Sequence, residues 1–224
     1  MREIVEKKVL SENDRLAAEL RQRYHQESIL CVNLISSPGS GKTALLERTL
    51  ASFAPGTPVA VLTGDVQTDN DARRLSRFGF PVRQIVTGGT CHLDARMVDR
   101  HLREMGFHGP GLLFVENVGN LVCPSSYDLG EAAKIVLLSV TEGEDKPLKY
   151  PGIFHRASLL ILTKMDLLPY VDFQVPLAVE NARKVHPGID YLALSSRTGE
   201  GFDQWRGWLE ALPQRIQNEP AAAS

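Results

Sequence analysis

A glycine-rich loop between an apolar segment and a helical segment constrains the fold of this 224-residue chain more than any other feature. The loop reads Ser36-Ser37-Pro38-Gly39-Ser40-Gly41-Lys42-Thr43, after the apolar residues 29–35 and before the helical stretch 44–53. This is the phosphate-loop pattern, with Ser36 in place of its first glycine. Glycines let successive backbone N–H groups turn toward phosphates, and the helix N-terminus adds partial positive charge. The arrangement predicts a nucleoside triphosphate site.

The rest of the chain alternates short apolar runs with helical stretches. The runs lack the polar alternation of a half-exposed strand, as expected for strands buried on both faces. Strands that alternate with helices indicate βαβ units, so we predict an α/β fold with a doubly wound, mainly parallel sheet. The predicted strands are residues 29–35, 59–62, 82–86, 112–115, 134–140, 158–162 and 191–194, and the clearest helices are 44–53, 69–78 and 95–105.

We expect three segments: an N-terminal helical extension at residues 1–28, a nucleotide-binding domain at 29–216 and a flexible tail at 217–224. The first segment is rich in charge, which indicates one or two surface helices packed lightly on the body. Asn13 and Asp14 offer a cap for the second half of that segment.

Composition excludes several classes of protein. The chain is 43% hydrophobic and 23% charged, which is typical of a globular domain. With 25 Lys and Arg against 27 Asp and Glu, its net charge of -2 argues against a basic nucleic-acid-binding face. The charged start lacks the apolar core of a signal peptide, and no run reaches the ~18 apolar residues of a membrane span. Three cysteines are too few for a disulfide framework, so we expect a cytoplasmic protein with free thiols.

Charged side chains near the loop complete a candidate catalytic set. Lys42 can reach the β- and γ-phosphates, and the Thr43 hydroxyl can bind Mg²⁺. Carboxylates follow the predicted strands, at the rim where parallel sheets bind ligands, and there they can hold Mg²⁺ or orient the attacking water. A single Asp can also be a helix cap or a turn residue. The candidate catalytic residues are Lys42, Asp65, Asp71 and Glu116, and the phosphate-binding residues are Pro38, Gly39, Ser40, Gly41, Lys42, Thr43 and Ala44.

Two later motifs favour GTP over ATP. Thr163-Lys164-Met165-Asp166 resembles the Asn-Lys-x-Asp motif of GTPases, in which the Asp accepts two hydrogen bonds from guanine. Thr163 replaces the Asn of that motif. Ser195-Ser196-Arg197-Thr198-Gly199 resembles the last GTPase motif, whose backbone donates to guanine O6. Lys164, Asp166, Ser195 and Ser196 are the candidate base-binding residues.

Two cysteines and a histidine form a candidate metal site. Cys91 and His92 follow the third predicted strand, and Cys123 follows the fourth, so two neighbouring strand ends can bring them together. Thiolates with an imidazole suit Zn²⁺, Ni²⁺ or Cu. His101 or His108 could be a fourth ligand. The residues alone leave open that both thiols are merely small buried side chains, which is the interpretation we favour for Cys31 within the first strand.

Taken together, these motifs resemble the HypB family, the nickel-incorporation accessory GTPases of hydrogenase maturation. The resemblance covers about residues 29–209. It rests on the phosphate loop, on Cys91-His92-Leu93-Asp94-Ala95, on Glu116-Asn117-Val118-Gly119-Asn120-Leu121-Val122-Cys123-Pro124 and on the segment 139–151. The chain lacks the cysteine-rich or histidine-rich start of some members and has only His25 before the first strand, so we expect no multi-ion nickel storage.

The resemblance implies a GTPase that binds GTP or GDP, Mg²⁺ and Ni²⁺ or Zn²⁺. Because no arginine finger is obvious in the sequence, we expect its intrinsic turnover to be slow. It implies Mg²⁺ and water beside Thr43, Asp65, Asp71 and Glu116, and a Ni²⁺/Zn²⁺ site of Cys91, His92 and Cys123 at the interface of a nucleotide- or metal-dependent homodimer. Lys149, with Lys146 as a further candidate, would approach nucleotide across the dimer.

The implied partners are the hydrogenase large subunit precursor and a small zinc-containing nickel-delivery accessory protein. We expect no nucleic-acid partner and no membrane span.

Three different functions also fit parts of the pattern. The related urease accessory GTPase carries a Cys-Pro-His motif, whereas Cys91 and His92 are contiguous here. A metal-binding protein could use nucleotide without hydrolysing it. A small-molecule kinase would need an acceptor pocket and a lid.

Overall fold

The computed structural model describes residues 2–66 and 69–218, with side chains described from residue 7 to 217 outside the gap. Seven strands form one sheet, and every neighbouring pair is parallel. The strands are β1 Ile29–Ser36, β2 Val59–Asp65, β3 Val82–Val86, β4 Gly111–Glu116, β5 Ala133–Ser139, β6 Leu159–Thr163 and β7 Tyr191–Ala193, in the spatial order β3-β2-β4-β1-β5-β6-β7. The predicted parallel α/β sheet is confirmed.

Helices cover both faces of the sheet, which is the doubly wound arrangement. They are α1 Arg2–Glu27, α2 Lys42–Ser52, α3 Asn70–Ser76, α4 Ala95–Met105, α5 Lys146–Lys149, α6 Pro151–His155, α7 Val175–Val185 and α8 Phe202–Asn218, with 3₁₀ turns at Cys123–Ser126 and Met165–Tyr170.

Alternate residues of the same strand point to opposite sides of the sheet. In β1, Val32 and Leu34 pack with Leu45 of α2 and Trp205 of α8. Cys31 packs on the other side among α1 and α4, fully buried and unpaired, as predicted from its place within the strand. The central strands, such as β1, β5 and β6, are therefore buried on both faces, which explains their lack of polar alternation, whereas the edge strands β3 and β7 are partly exposed.

The N-terminal segment is one helix, and it is more firmly packed than we expected. Its residues Ala17, Leu20 and Tyr24 are buried in the core beside α4. Asn13 lies inside the helix and bonds to other parts of the chain, so the expected cap at Asn13 and Asp14 is wrong. The charged residues lie on the outer face of the helix and conceal its apolar side in the sequence. At the other end α8 continues to Asn218, and the rest of the predicted tail, residues 219–224, lies outside the described residues.

Candidate nucleotide and metal sites

The phosphate loop leaves β1 at Ser36 and enters α2 at Lys42. Gly39 and Gly41 have φ angles of 74° and 99°, in the left-handed region that favours glycine. The loop thus turns its backbone around the N-terminus of α2, where unpaired N–H groups can receive an anion.

Lys42 and Thr43 lie among the predicted carboxylates. The Lys42 ammonium donates to Ser36 Oγ at 2.9 Å. Thr43 Oγ1 lies 2.7 Å from Glu116 Oε1 and 3.0 Å from Asp71 Oδ1. A hydroxyl has only one proton to donate, so it can satisfy one carboxylate, and the other contact requires a proton on the second group or a cation nearby.

Burial shifts the pKa values of Glu116 and Lys42, the two charged groups at the centre of the cluster. Glu116 is only 3% exposed, and desolvation raises its pKa to about 7, against the opposing effects of Lys42 and Thr43. Desolvation also lowers the pKa of Lys42, although the carboxylates around it act in the opposite direction. Perturbed groups of this kind concentrate at functional sites.

The donor set fits Mg²⁺. Oxygens of Thr43, Asp71 and Glu116 converge within hydrogen-bonding distance, and such hard oxygen ligands are those that Mg²⁺ prefers. Among the described residues, the second carboxylate oxygen of Glu116 is buried and has no hydrogen-bond partner. A divalent cation would supply the partner that this oxygen lacks.

A cavity of about 370 Å³ opens on this cluster. All four predicted catalytic residues line it, together with most of the predicted phosphate-binding residues; Ser40 is buried beside it instead. The lining residues are Pro38, Gly39, Gly41, Lys42, Thr43, Ala44, Gly64, Asp65, Asp71, Arg74, Glu116, Asn117 and Gly119.

Sequence reasoning missed Arg74 among these lining residues. Arg74 lies one helical turn after Asp71, and this i,i+3 spacing was the signal that could have found it. Its guanidinium is held by Glu47, with contacts of 2.6 and 3.0 Å, and by Asp71 at 3.4 Å. The cavity therefore has an arginine on its wall, already fixed by two carboxylates.

The loop after β4 lies directly against the phosphate loop. A side chain at Gly119 would approach the Pro38 backbone to 3.0 Å, closer than ordinary contact distance. Glycine thus suits the place where the two loops meet, because a side chain there would require the Pro38 backbone to shift by a few tenths of an ångström.

The two predicted base-binding motifs also come together. Ser195 Oγ donates to Asp166 Oδ1 at 2.6 Å, and Lys164 has a φ angle of 58°. The buried Thr163 hydroxyl donates to the Ser40 carbonyl at 2.6 Å. The departure from Asn at Thr163 therefore leaves a side chain that ties this motif to the phosphate loop.

Two other predicted residues lie apart from the phosphate cavity. The Ser196 carbonyl accepts from Arg48 Nη1 at 3.2 Å, at the base-binding end. Lys149 is exposed on the short helix α5 and pairs with Asp145 at 2.6 Å. It does not line the cavity of its own chain, so the structure does not bring it together with the phosphate-binding residues.

Cys91, His92 and Cys123 form a single group, with ligand atoms within 4.8 Å of one another. The structure pairs Cys91 and Cys123 as a disulfide with Cα atoms 6.3 Å apart, so the expectation of three free thiols is wrong. The reason is that the two loops bring the sulfurs into direct contact. Metal coordination requires thiolates, so only the reduced form of this pair offers the predicted donor set.

The route that brings these residues together differs from the one predicted. β2 lies between β3 and β4, so the strand ends that precede Cys91 and Cys123 are not neighbours. The segment after β3 crosses the end of β2 at Gly64, where an added Cβ would meet the Leu93 side chain at 2.8 Å. The missing side chain of Gly64 lets Leu93 cross and place His92 near Cys123.

The His92 ring stacks on Tyr127, with centroids 3.7 Å apart. Burial lowers the pKa of His92 against the effect of Asp94, which favours the neutral imidazole that binds metals. Within the described part of the chain, neither proposed fourth ligand belongs to the group: His101 contacts the Met97 carbonyl at 2.8 Å, and His108 lies 3.7 Å from Glu27.

Asn117 connects the candidate metal site to the cavity. It follows Glu116, lines the cavity and is buried. Its Oδ1 accepts from the Leu93 N–H at 3.2 Å, next to His92, and its Nδ2 donates to Asn33 at 3.3 Å. Nothing in the sequence marked Asn117 as a bridge, because the contact depends on how the segment crosses β2.

These features define a phosphate-loop nucleotide-binding protein on a parallel α/β sheet. The family described as "CobW/HypB/UreG, nucleotide-binding domain" matches residues 30–192. Hydrogenase maturation factor HypB from Azotobacter vinelandii is 53% identical over 92% of this chain and 68% of its own length. Hydrogenase/urease maturation factor HypB from Helicobacter hepaticus is 43% identical, over 94% of this chain and 87% of its own.

A solved structure agrees with these relatives. The crystal structure of HypB from Helicobacter pylori in complex with nickel superposes with a TM-score of 0.85 at 40% identity, covering 95% of this chain and 100% of that one. The chain belongs to the CobW/HypB/UreG family and, within it, to the HypB proteins, as its motifs indicated. No helix within residues 2–66 and 69–218 is long and apolar enough to cross a membrane.

The raised pKa of Glu116 predicts a pH-dependent stability. Between pH 4.5 and about 7 the folded carboxyl keeps a proton that the unfolded one loses, so stability falls as pH rises through this window. Relative to Glu116→Gln, the wild type should lose roughly 3 kcal/mol of unfolding free energy across it. Urea denaturation of both nucleotide-free proteins at several pH values measures this difference. A difference that stays constant with pH would contradict the assignment.

Proposed function

We propose that the chain is a GTP-hydrolysing metallochaperone that binds nickel or zinc and assists nickel insertion into the large subunit of a [NiFe]-hydrogenase. The observation that carries this proposal is the loop after β4. It begins with Glu116 at the phosphate cavity and ends with Cys123 at the metal group. One short segment would thus join a carboxylate that senses nucleotide to a thiol that binds metal. The names of the HypB relatives support the choice of hydrogenase as the recipient.

At the phosphate end, the chain's own groups supply electrostatic stabilisation. The Lys42 ammonium and the N–H groups of the loop would neutralise charge that develops on the γ-phosphate. Thr43, Asp65, Asp71 and Glu116 would hold Mg²⁺, directly or through water, and the ion would supply positive charge that stabilises the phosphates during transfer. With Arg74 already held by Glu47 and Asp71, we expect slow turnover, which suits a switch.

At the other end of the nucleotide site, the base would lie against the second pair of motifs. The Asp166 carboxylate can accept from guanine N1–H and its exocyclic amine, and Ser195 holds that carboxylate in place. Lys164 and Ser196 complete the proposed base site. Adenine offers no matching pair of donors, so the arrangement supports GTP.

Nickel is the proposed cargo of the reduced cysteine pair. Two thiolates and one imidazole leave a coordination position open, which allows a metal ion to be exchanged rather than locked in. Because the loop from Glu116 to Cys123 contacts both sites, metal affinity would depend on the bound nucleotide, and nucleotide affinity would depend equally on metal.

We further propose that the working form is a homodimer that assembles with nucleotide or metal. Lys149 is exposed and lies outside the cavity of its own chain, which is compatible with a role at the nucleotide of a second copy. Its neighbour Leu148 is also largely exposed. A small zinc-containing accessory protein and the hydrogenase large subunit precursor are the proposed partners.

Delivery to urease is a second candidate because the Helicobacter hepaticus relative is named a hydrogenase/urease maturation factor. The contiguous Cys91-His92 pair, in place of Cys-Pro-His, favours hydrogenase. A metal-binding protein that does not hydrolyse its nucleotide and a small-molecule kinase are the remaining candidate functions. The rate of GTP turnover distinguishes these two from a slow GTPase. The metal-binding protein would not turn over GTP, and the kinase would turn over its substrate faster than the GTPase.

Replacing the phosphate-loop lysine tests hydrolysis. Lys42→Ala should lower the GTP turnover on the order of 100-fold, since one preorganised charge is lost from the transition state. Wild-type turnover should lie below about 1 s⁻¹, under the usual range of kinases. Phosphate release from GTP with Mg²⁺ measures both. Lys184→Ala, at an exposed lysine of α7 paired with Glu180, is the control and should match the wild type. Wild-type turnover no greater than that of Lys42→Ala would favour the metal-binding protein that does not hydrolyse GTP.

Replacing a metal-ligating thiol tests the cargo site. Cys91→Ala should weaken Ni²⁺ binding to the reduced protein by more than about tenfold. Cys31→Ala, which removes the buried core thiol, is the matched control and should leave the Ni²⁺ affinity unchanged.

The same Ni²⁺ titration, repeated with GDP and with a non-hydrolysable GTP analogue, tests the coupling, and the mass of the complex is recorded in each state to test dimerisation. Equal Ni²⁺ affinity with both nucleotides would refute the coupling, and a monomer in every state would refute the dimer.

A further inference from the structure

We propose that Asn13 of helix α1 is a positioning residue for the metal site. Its side chain holds together the two chain segments that carry Cys91 and His92 on one side and Cys123 on the other. The proposal rests on the metal-binding role of those three residues, which is part of the proposed function.

Asn13 forms one hydrogen bond to each segment. It is 5% exposed, and its Oδ1 accepts from the Ala95 N–H at 2.9 Å. Its Nδ2 donates to the Asp128 carbonyl at 3.0 Å. Ala95 lies three residues after His92, and Asp128 directly follows the tyrosine on which His92 stacks. One amide group therefore bridges both sides of the metal group.

The helix itself does not need this side chain. Asparagine lowers helix stability compared with alanine in a helix interior, by roughly half a kcal/mol. Here both hydrogen-bonding groups of the amide are directed away from α1 toward other segments. α4 already has a cap, because the Asp94 carboxylate accepts from Met97 N at 2.7 Å. Asn13 pairs a further N–H of that first turn from outside the helix.

Two ion pairs support the same bridge from the surface. Arg96 pairs with Glu12 at 2.5 Å, and Arg21 pairs with Asp128 at 2.6 Å. Both pairs are exposed, so each contributes little to stability. Asn120 also joins the two segments, because its Nδ2 donates to the Cys91 carbonyl at 3.3 Å, but Asn120 is only partly buried. The buried Asn13 amide adds a bond to each segment from α1, and leaving either of its groups unpaired would be costly.

The expected consequence is a change in metal affinity. A site of two sulfurs and one imidazole depends on the spacing of the two segments, and residues that orient metal ligands typically alter affinity by about 10- to 100-fold. The N-terminal helix would thereby set the affinity of the metal group without contacting the metal.

Asn13→Ala is compared with Asn181→Ala to test this role. Asn181 is also 5% exposed inside a helix, and its side chain bonds to the Glu144 carbonyl and to Lys184. Titration of the reduced full-length proteins with Ni²⁺ should give about tenfold weaker binding for Asn13→Ala and less than a twofold change for Asn181→Ala. Wild-type affinity in Asn13→Ala, or equal losses in both variants, would overturn the proposal. If Asn13→Ala fails to fold, Asn13→Ser, whose short hydroxyl cannot span both partners, replaces it.

A second measurement needs no metal and separates this proposal from the proposed function. In a glutathione buffer, the protein dithiol and oxidised glutathione exchange with the Cys91–Cys123 disulfide and two reduced glutathione molecules. Asn13→Ala should lower the equilibrium constant for disulfide formation several-fold relative to Asn181→Ala, because the sulfurs are held together less firmly. Unchanged equilibrium would refute the role of Asn13. Absence of Ni²⁺ binding in the wild type would instead refute the cargo role, with the thiol equilibrium still deciding the role of Asn13.

Discussion

The buried side chain of Asn117 is the constraint on which the arrangement of both sites depends. It lies on the wall of the phosphate cavity and accepts from the Leu93 N–H, so the segment that carries Cys91 and His92 is fastened to the end of β4. Its donor side is fixed to Asn33 of β1, which in turn donates to Glu131. Because unpaired buried amides are costly, this chain of bonds restricts the relative positions of cavity and metal group.

Both sites share the short loop that begins at Glu116, and its two ends have different chemistry. Glu116 is a buried carboxyl whose charge is unfavourable without a cation, and Gly119 lies against Pro38 of the phosphate loop. Cys123, at the far end, reaches the sulfur of Cys91. In the proposed function, a change in charge or contact at the phosphates would therefore act on the segment that carries Cys123, without any need for a long path between the sites.

The features of the fold that depend on short stretches of sequence could be predicted from the sequence alone. The glycine-rich loop, the buried strands and the residues at the strand ends indicated the parallel sheet and the candidate catalytic group around Lys42 and Glu116. The packing of α1 was not predictable, because charged residues on its outer face conceal buried Leu20 and Tyr24. The path over β2 of the segment that carries Cys91 and His92 was also not predictable from the local sequence. It depends on the strand order and on the close approach at Gly64, and neither leaves a signal at the cysteines themselves.

Two buried amides hold the metal segment from opposite directions. Asn117 bonds Leu93 from the nucleotide side, and Asn13 bonds Ala95 from the N-terminal helix. Asn117 bonds Leu93, while Ala95 is anchored by Asn13. A shift of Asn117 would therefore displace the two residues before Leu93, which are Cys91 and His92. In this proposal, α1 would be the fixed reference against which the loop after β4 could move Cys91 and His92. The proposed coupling between nucleotide and metal would require both anchors, because a segment free at one end would follow the loop without changing the ligand spacing.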